Sequence, residues 1–396
     1  MTRLAIVRQR YNPAGGAERF VSRALDALAR QGSLDVTLIT RRWEDHAGYH
    51  SLTVNPFYLG NVWRDAGFAR GVRQAIAREG FDLVQAHERI PGCDVFRAGD
   101  GVHRAWLARR GRALSALGRL KLKLNPYHHY ICRAEARMFA DPALKAVICN
   151  SRMVADEIQQ YFGLPADKLA VIYNGVDTQA FHPGLASQRD AVRAHWRIPA
   201  QAPLLVYVGS GFERKGVAAA LAAIAPLAGV HLLVVGHDKH AARYQAQARA
   251  LGVAERVIFT GAQKDVKSFY AAADALILPT LYDPFPNVCV EALACGLPLF
   301  TSTGCGAAEW IRPGENGWVR DALDVAGFTA DIASWLQARA DWPSLRAHAR
   351  ATVEMLAGMP YESLWGNNNI GYLNRNKPAA PSLKDRAVLN STYNRG

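Results

Sequence analysis

The chain has 396 residues, half of them hydrophobic and a fifth charged; that is ordinary globular composition but more than one core usually supports, so two domains are expected. A net charge of +13 means a surface that attracts nucleic acid, anionic membrane or phosphorylated substrates, and composition does not choose among the three. The six cysteines form no C-x-x-C pair and no Cys/His zinc spacing, which excludes a zinc or disulfide scaffold and reads as buried thiols in a reducing compartment.

The opening MTRLAIVRQR meets charge at Arg3 and Arg8, too early for the apolar core of a secretory signal, so a cytoplasmic protein is expected. Residues 3–8 read as the first strand, followed by RYNPAGGAERF (10–20) and a helix over 16–31. Gly15 and Gly16 would let the backbone approach a ligand closely at that helix start, with Glu18 in the same turn. The spacing is not G-x-G-x-x-G, and a plain tight turn fits equally well. Strands at 35–39, 82–86 and 145–149 alternate with helices at 64–79 and 151–162, a parallel, doubly wound α/β pattern. His87 directly follows the strand at 82–86, where a structural histidine and a functional one are both open readings. Asp100 falls in the loop of RIPGCDVFRAGDGVHRAW (89–106).

Between Gly101 and Ala134 there is no Asp or Glu. Wound as one helix, residues 103–124 would gather Trp106, Leu107, Leu114, Leu117, Leu120 and Leu124 on one broad side. Arg109, Arg112, Arg119 and Lys123 would take the other side, with Arg110 and Lys121 on the flanks. That is the pattern of a helix lying on an anionic membrane surface; an ordinary surface helix packed on the first domain is the alternative.

The polar, proline-bearing stretch 181–203 is the expected linker, dividing a domain 1–180 from a domain 204–359, with a loosely ordered tail over 360–396. The second domain has strands at 204–208, 230–235, 256–259, 275–279 and 298–301. Residues 217–236 contain no Asp, Glu, Lys or Arg and imitate a membrane span, but Pro226 and Gly229 split them into a helix and a strand.

In GSGFERKG (209–216), Arg214 and Lys215 sit in a glycine-flanked loop between a strand and a helical stretch. Helix N-termini carry orphan N–H groups and partial positive charge, and two added cations there suit a phosphate; as exposed loop cations they would add little to stability. In LYDPFPNVCVEALACGLPLFTS (281–302), Asp283 lies in a loop and a helix begins near Pro286 or Asn287, placing Glu291 one turn inside. Two carboxylates around a helix start can hold sugar and ribose hydroxyls; a capping acid with an incidental glutamate is the other reading.

Together GSGFERKG, DPFPNVCVEALACGLP and GGAERF resemble the retaining glycosyltransferases of family 4, whose GT-B fold has two facing Rossmann-like domains with a cleft between them. Residues 89–106 resemble more narrowly the heptosyl-lipopolysaccharide glucosyltransferase I group. The resemblance implies a nucleotide-sugar donor, UDP-glucose, and an inner-core heptose of lipopolysaccharide as acceptor. Arg214 and Lys215 match the pair that holds the donor diphosphate. Asp283 and Glu291 fall on the E-x7-E carboxylates, the first facing the donor sugar and the second the ribose. Gly15, Gly16, Phe285, Pro286, Asn287 and Val288 complete the implied donor site, and His87, with Glu18 and Asp100, the acceptor side. Asp stands at the first E-x7-E position, which leaves donor-sugar identity open. No D-x-D pair occurs, so neither a metal nor another cofactor is expected. The implied location is the inner face of the inner membrane.

Two rivals share parts of this pattern. A nicotinamide-dependent dehydrogenase should show G-x-G-x-x-G after the first strand, and this chain does not. A nucleic-acid-binding protein would explain the charge, but no RNP, helix-turn-helix or zinc signature is present, and no nucleic-acid partner is expected.

Overall fold

The computed structural model describes residues 2–10, 34–42 and 50–357. The expected helix 16–31, with Gly15, Gly16 and Glu18, and the tail from Pro360 lie outside the described residues. The chain divides into two compact units, the first holding the described residues up to Tyr173 and the second being Asn174–Met359.

The first unit carries a seven-stranded sheet in the order β3-β2-β1-β4-β5-β6-β7. Its strands are Thr2–Val7 (β1), Leu34–Thr40 (β2), His50–Thr53 (β3), Leu83–Ala86 (β4), Val95–Arg97 (β5), Ala146–Cys149 (β6) and Leu169–Val171 (β7). All neighbours pair in parallel. The second unit has a six-stranded parallel sheet in the order β10-β9-β8-β11-β12-β13. These strands are Leu204–Val208 (β8), His231–Val235 (β9), Val257–Gly261 (β10), Ala275–Leu278 (β11), Leu299–Ser302 (β12) and Gly317–Arg320 (β13). Strands covered on both faces need apolar side chains on both, which is why β8 (LLVYV) and β11 (ALIL) read as unbroken hydrophobic runs and are buried at every position.

Each sheet reverses its winding once, between β1 and β4 in the first and between β8 and β11 in the second. Loops leaving the carboxyl ends of strands diverge at such a point and open a crevice, the usual place for a ligand in an open α/β sheet. Among the described candidates, His87 follows β4 in the first unit, and Arg214 with Lys215 follows β8 and Asp283 follows β11 in the second.

Two sequence expectations change. Residues 181–203 are not a free linker. They form a 3-10 turn, Pro183–Gln188, and a helix, Arg189–His195, within the second unit. Arg189 and the fully buried Arg193 bind Asp274 at 2.7 and 2.9 Å, and Asp274 also accepts from the Leu204 amide that starts β8. Polar composition misled because these charges are spent on one another and on carbonyls. The unit boundary accordingly falls at Tyr173 and Asn174.

Likewise, 103–124 is not one helix. It breaks at Ala113 into His103–Arg112 and Ala116–Leu124, the second capped by Ser115, whose hydroxyl accepts from the Gly118 amide. A third helix, Pro126–Phe139, follows directly. Among the described residues no helix is long and apolar enough to cross a membrane, and 217–236 divides into the helix Val217–Ile224 and β9 as expected.

Candidate functional site

In the second unit the loop after β8 carries Arg214 and Lys215 in a single turn, Phe212–Lys215, bounded by Gly211 and Gly216 in the left-handed conformation. A Cβ on Gly216 (φ 82°) would lie 2.0 Å from the Pro279 carbonyl oxygen, so only glycine lets this loop touch the one after β11. Two further bonds lock the loops together: the Leu281 amide and the Thr280 hydroxyl both donate to the Arg214 carbonyl, at 2.8 and 3.0 Å. A third loop, after β12, closes on the second. The Asp283 amide donates to Gly304 and the Asp283 carbonyl accepts from Gly306, at 2.8 and 2.9 Å.

This backbone frame brings the expected charges together. Lys215 Nζ lies 3.2 Å and Arg214 Nη2 3.9 Å from Asp283 Oδ2, and Arg214 also donates to the Tyr282 carbonyl at 3.2 Å. Asp283 is buried, and the Lys215 side chain is only 14% exposed against 40% for Arg214. The expectation of two exposed cations therefore holds for Arg214 alone. A buried carboxylate loses its hydration, and the ammonium beside it offsets that cost. Two cations against one carboxylate leave the cluster net positive, a setting suited to an incoming anion.

The helix Asn287–Ala294 starts directly behind the cluster, with Pro286 as N-cap and no side chain capping it. Its first amides, at Asn287 and Val288, are orphan donors by helix geometry. Glu291 sits one turn in, as expected, and is buried. Its Oε2 accepts from the Tyr270 hydroxyl at 2.9 Å; burial, reinforced by the Glu291 charge, drives the Tyr270 phenol well above its ordinary range and keeps it a donor. Phe285 stacks edge-on against Trp310 with ring centres 4.9 Å apart. Asn174 reaches the same loop through Asn287 Oδ1 at 2.8 Å and the Phe285 carbonyl at 3.3 Å. Sequence reasoning missed Tyr270 and Asn174. Neither carries a local motif, since each matters only through a chain-distant partner.

In the first unit, His87 follows β4 at the winding reversal, its amide bound to the Val7 carbonyl at 3.0 Å. Its ring is buried and lies 3.0 Å from Gln85 Nε2. Burial, helped by the charges of Arg97 and Arg8, pushes its pKa well below the ordinary value, so the imidazole is neutral at neutral pH. Arg8 pairs with both Glu88 and the exposed Asp100 at 3.6 Å. Asp100 and His87 thus share the neighbourhood of Arg8.

Of the expected membrane-contact residues, Arg112, Arg119, Lys121 and Lys123 are exposed. Arg109 binds the Glu157 carboxylate at 3.1 Å, and Trp106 and Leu107 are half-buried. Both findings remove these residues from the outward face that one long helix would have had. Leu117, Leu120 and Leu124 are 61%, 51% and 68% exposed along one side of Ala116–Leu124.

Comparison with known proteins covers both units. Residues 14–180 match the family described as Glycosyltransferase Family 4, and residues 188–352 match Glycosyl transferases group 1. The chain is 28% identical over 318 residues to the lipopolysaccharide glucosyltransferase WaaG of Escherichia coli (strain K12), covering 78% of this chain and 83% of that one. It is also 28% identical over 329 residues to the lipopolysaccharide core biosynthesis glycosyltransferase LpsE of Rhizobium meliloti (strain 1021), covering 80% and 84%. The crystal structure of WaaG, a glycosyltransferase involved in lipopolysaccharide biosynthesis, superposes with a TM-score of 0.76 at 25% identity over 91% of this chain and 97% of that one.

Proposed function

The chain belongs to the family 4 glycosyltransferases and has their GT-B fold, and from that premise we propose that it transfers glucose, with retention, from UDP-glucose to an inner-core heptose of lipopolysaccharide. The observation that carries the reading is the cluster of Lys215, Arg214 and Asp283 at the uncapped start of Asn287–Ala294.

As the bond between sugar and phosphate breaks, negative charge grows on the diphosphate. Lys215, Arg214 and the amides of Asn287 and Val288 are preplaced to receive it, and stabilisation of that kind is worth most when the groups need no rearrangement. Two side-chain cations supply the neutralisation that a metal ion supplies elsewhere, so the proposed reaction needs none. Asp283 would hold the sugar and Glu291, fixed by Tyr270, the ribose. The acceptor hydroxyl would attack on the face from which the diphosphate leaves. His87, neutral and beside Arg8 and Arg97, is proposed on the acceptor side with Asp100. The similarity to two lipopolysaccharide glycosyltransferases supports the acceptor class. The exposed leucines and basic residues of Ala116–Leu124 support docking on an anionic inner leaflet.

The test is a panel of nucleotide sugars with heptose-terminated core acceptor, read by product NMR with and without a chelator. UDP-glucose should be the preferred donor, the new linkage should keep the donor's anomeric configuration, and chelation should leave the rate unchanged. Preference for a guanine or adenine sugar nucleotide would overturn the donor, an inverted linkage the stereochemistry, and loss of rate with chelator the metal independence.

A further inference from the structure

Beyond the carboxyl ends of β1 and β2 the first unit gathers four arginines that the proposed reaction does not use. Arg10 and Arg42 are exposed and stand opposite each other on neighbouring parallel segments, which run about 4.8 Å apart in a sheet. Like charges placed opposite each other repel, and among the described residues neither has an acidic partner. Arg41 is 3% exposed and spends its guanidinium on neutral groups, Asn55 Oδ1 at 2.7 Å and the carbonyls of Pro56 and Arg64 at 3.2 and 2.6 Å. Its Nε has no partner among the described residues. Only Arg64 meets a carboxylate, that of Asp65 at 2.7 Å, so the group as a whole is net positive.

The same bonds hold up an apolar corner. Arg41 fixes the segment 54–59 and the start of the helix Gly60–Glu79, and its guanidinium lies over the Tyr58 ring, 4.8 Å from the centre. The Tyr58 hydroxyl accepts from Arg10 at 2.8 Å. On either side of Tyr58, Phe57 and Leu59 are 73% and 68% exposed, and Trp63 is 50% exposed. Phe57 and Trp63 meet edge to face, their ring centres 5.7 Å apart and their planes at 87°. Large apolar side chains held out in water by a bonded scaffold mark a contact surface.

We propose that this surface binds a phosphorylated sugar, its ring against the corner of Phe57 and Trp63 and its phosphate on Arg10 and Arg42. Each half of the surface argues against a simpler ligand. A neutral sugar would leave the opposed arginines without a counter-charge, and inorganic phosphate would leave the rings in water. Guanidinium groups grip phosphate oxygens in a two-pronged fork, and aromatic rings cover the apolar C–H face of a sugar. Nucleic acid also combines rings with phosphate, but its successive bases stack on ring faces, whereas two rings set at 87° form a corner for one compact ring. Gln9 ties the surface to the residues proposed on the acceptor side. Its side chain donates to Asp65 and its amide to Glu88, the neighbour of His87, both at 3.0 Å. The ligand is accordingly a phosphate-bearing sugar of the acceptor, distinct from the one that reacts. That assignment rests on the transfer reaction proposed above; the binding itself does not.

Calorimetry on the full chain tests this with glucose 6-phosphate as the probe, in excess UDP so that the cations of the second unit are occupied. Glucose and inorganic phosphate are the comparisons. Saturable one-to-one binding is expected, about tenfold or more tighter than either comparison, because each comparison engages one half of the surface. Trp63→Ala and the Arg10→Gln, Arg42→Gln double variant should each weaken it about tenfold. Arg70→Gln, exposed on the same helix, should leave it unchanged. The double arginine variant decides if Trp63→Ala does not fold, since both of its positions are exposed. In turnover, Trp63→Ala should raise the KM for a phosphate-bearing core acceptor about tenfold, with kcat and UDP affinity unchanged. No binding, affinity equal to that for glucose or phosphate, wild-type affinity in a folded variant, or tighter binding of oligouridylate that depends on Trp63 would overturn the site. An unchanged KM would overturn its place in the acceptor. Failure to transfer glucose to any heptose acceptor would instead sink the proposed function, and the calorimetric result would stand or fall by itself.

Discussion

Lys215 Nζ lies 3.2 Å from Asp283 Oδ2, joining the loop after β8 to the loop after β11. The contact makes Lys215 a structural as well as an electrostatic residue, and it separates Lys215 from its neighbour Arg214.

Lys215→Ala should therefore cost both activity and stability. Losing a preorganised donor costs about 10²–10³ in turnover, and leaving Asp283 buried beside only the more distant Arg214 should cost about 2 kcal/mol of folding free energy. Arg214→Ala should show a similar loss of turnover with at most about 1 kcal/mol of stability, because its side chain is partly solvated and screened. Steady-state rates and urea denaturation of the two variants check this; equal stability losses would place both cations in the same role.

Tyr270→Phe removes the hydroxyl that donates to Glu291 at 2.9 Å and leaves a buried carboxylate oxygen short of a donor. The expected cost is about 1–3 kcal/mol in stability, with weaker binding of UDP. A variant with unchanged midpoint and unchanged UDP affinity would show that Glu291 is satisfied without Tyr270.

Gly216→Ala should be among the worst single methyl additions in the chain. Its φ of 82° disfavours any side chain, and the added carbon would meet the Pro279 carbonyl oxygen at 2.0 Å. Destabilisation of about 3 kcal/mol or more, or failure to accumulate folded protein, is expected. Gly111→Ala, in open space, is the matched control.

Acid should destabilise the first unit through the buried His87 and the half-buried His103. Burial, then the charges of Arg89 and His128, pushes His103 down from its ordinary 6.5 to about 3, and His87 is also lowered well below 6.5. In that window the unfolded chain binds protons that the folded chain refuses, so stability is full above about pH 6.5 and falls as pH drops toward 3. His103→Gln should flatten the dependence of melting temperature on pH between those values. An unchanged slope would assign the acid loss to other groups.

Vesicle binding should follow the exposed cations of Ala116–Leu124 and its neighbour. Replacing Arg112, Arg119, Lys121 and Lys123 by Gln should abolish binding to anionic vesicles, since each basic residue near an anionic surface contributes about 1 kcal/mol. Arg109→Gln should change little, because its guanidinium is spent on Glu157. Cosedimentation at low and high salt measures both.

The sequence by itself determined the parallel α/β class and nearly every interior strand, because strands buried on both faces must be apolar along their whole length, as in β8 and β11. It missed the four-residue edge strands β3, which is largely exposed, and β13, and the three-residue β5 and β7, because short or solvated strands carry no hydrophobic period. It also located Arg214, Lys215, Asp283 and Glu291, whose chemistry is written in local motifs. Tertiary structure alone decided their pairing: the burial of Lys215 on Asp283, the Tyr270 bond to Glu291 and the reach of Asn174 into the same loop. Tertiary structure also turned the supposed linker into a helix clamped on Asp274 and broke the basic segment into helices around a cavity. Charge and polarity along a chain record what a residue can bind, while the partner that satisfies it comes from elements distant in sequence, and only the fold brings the two together.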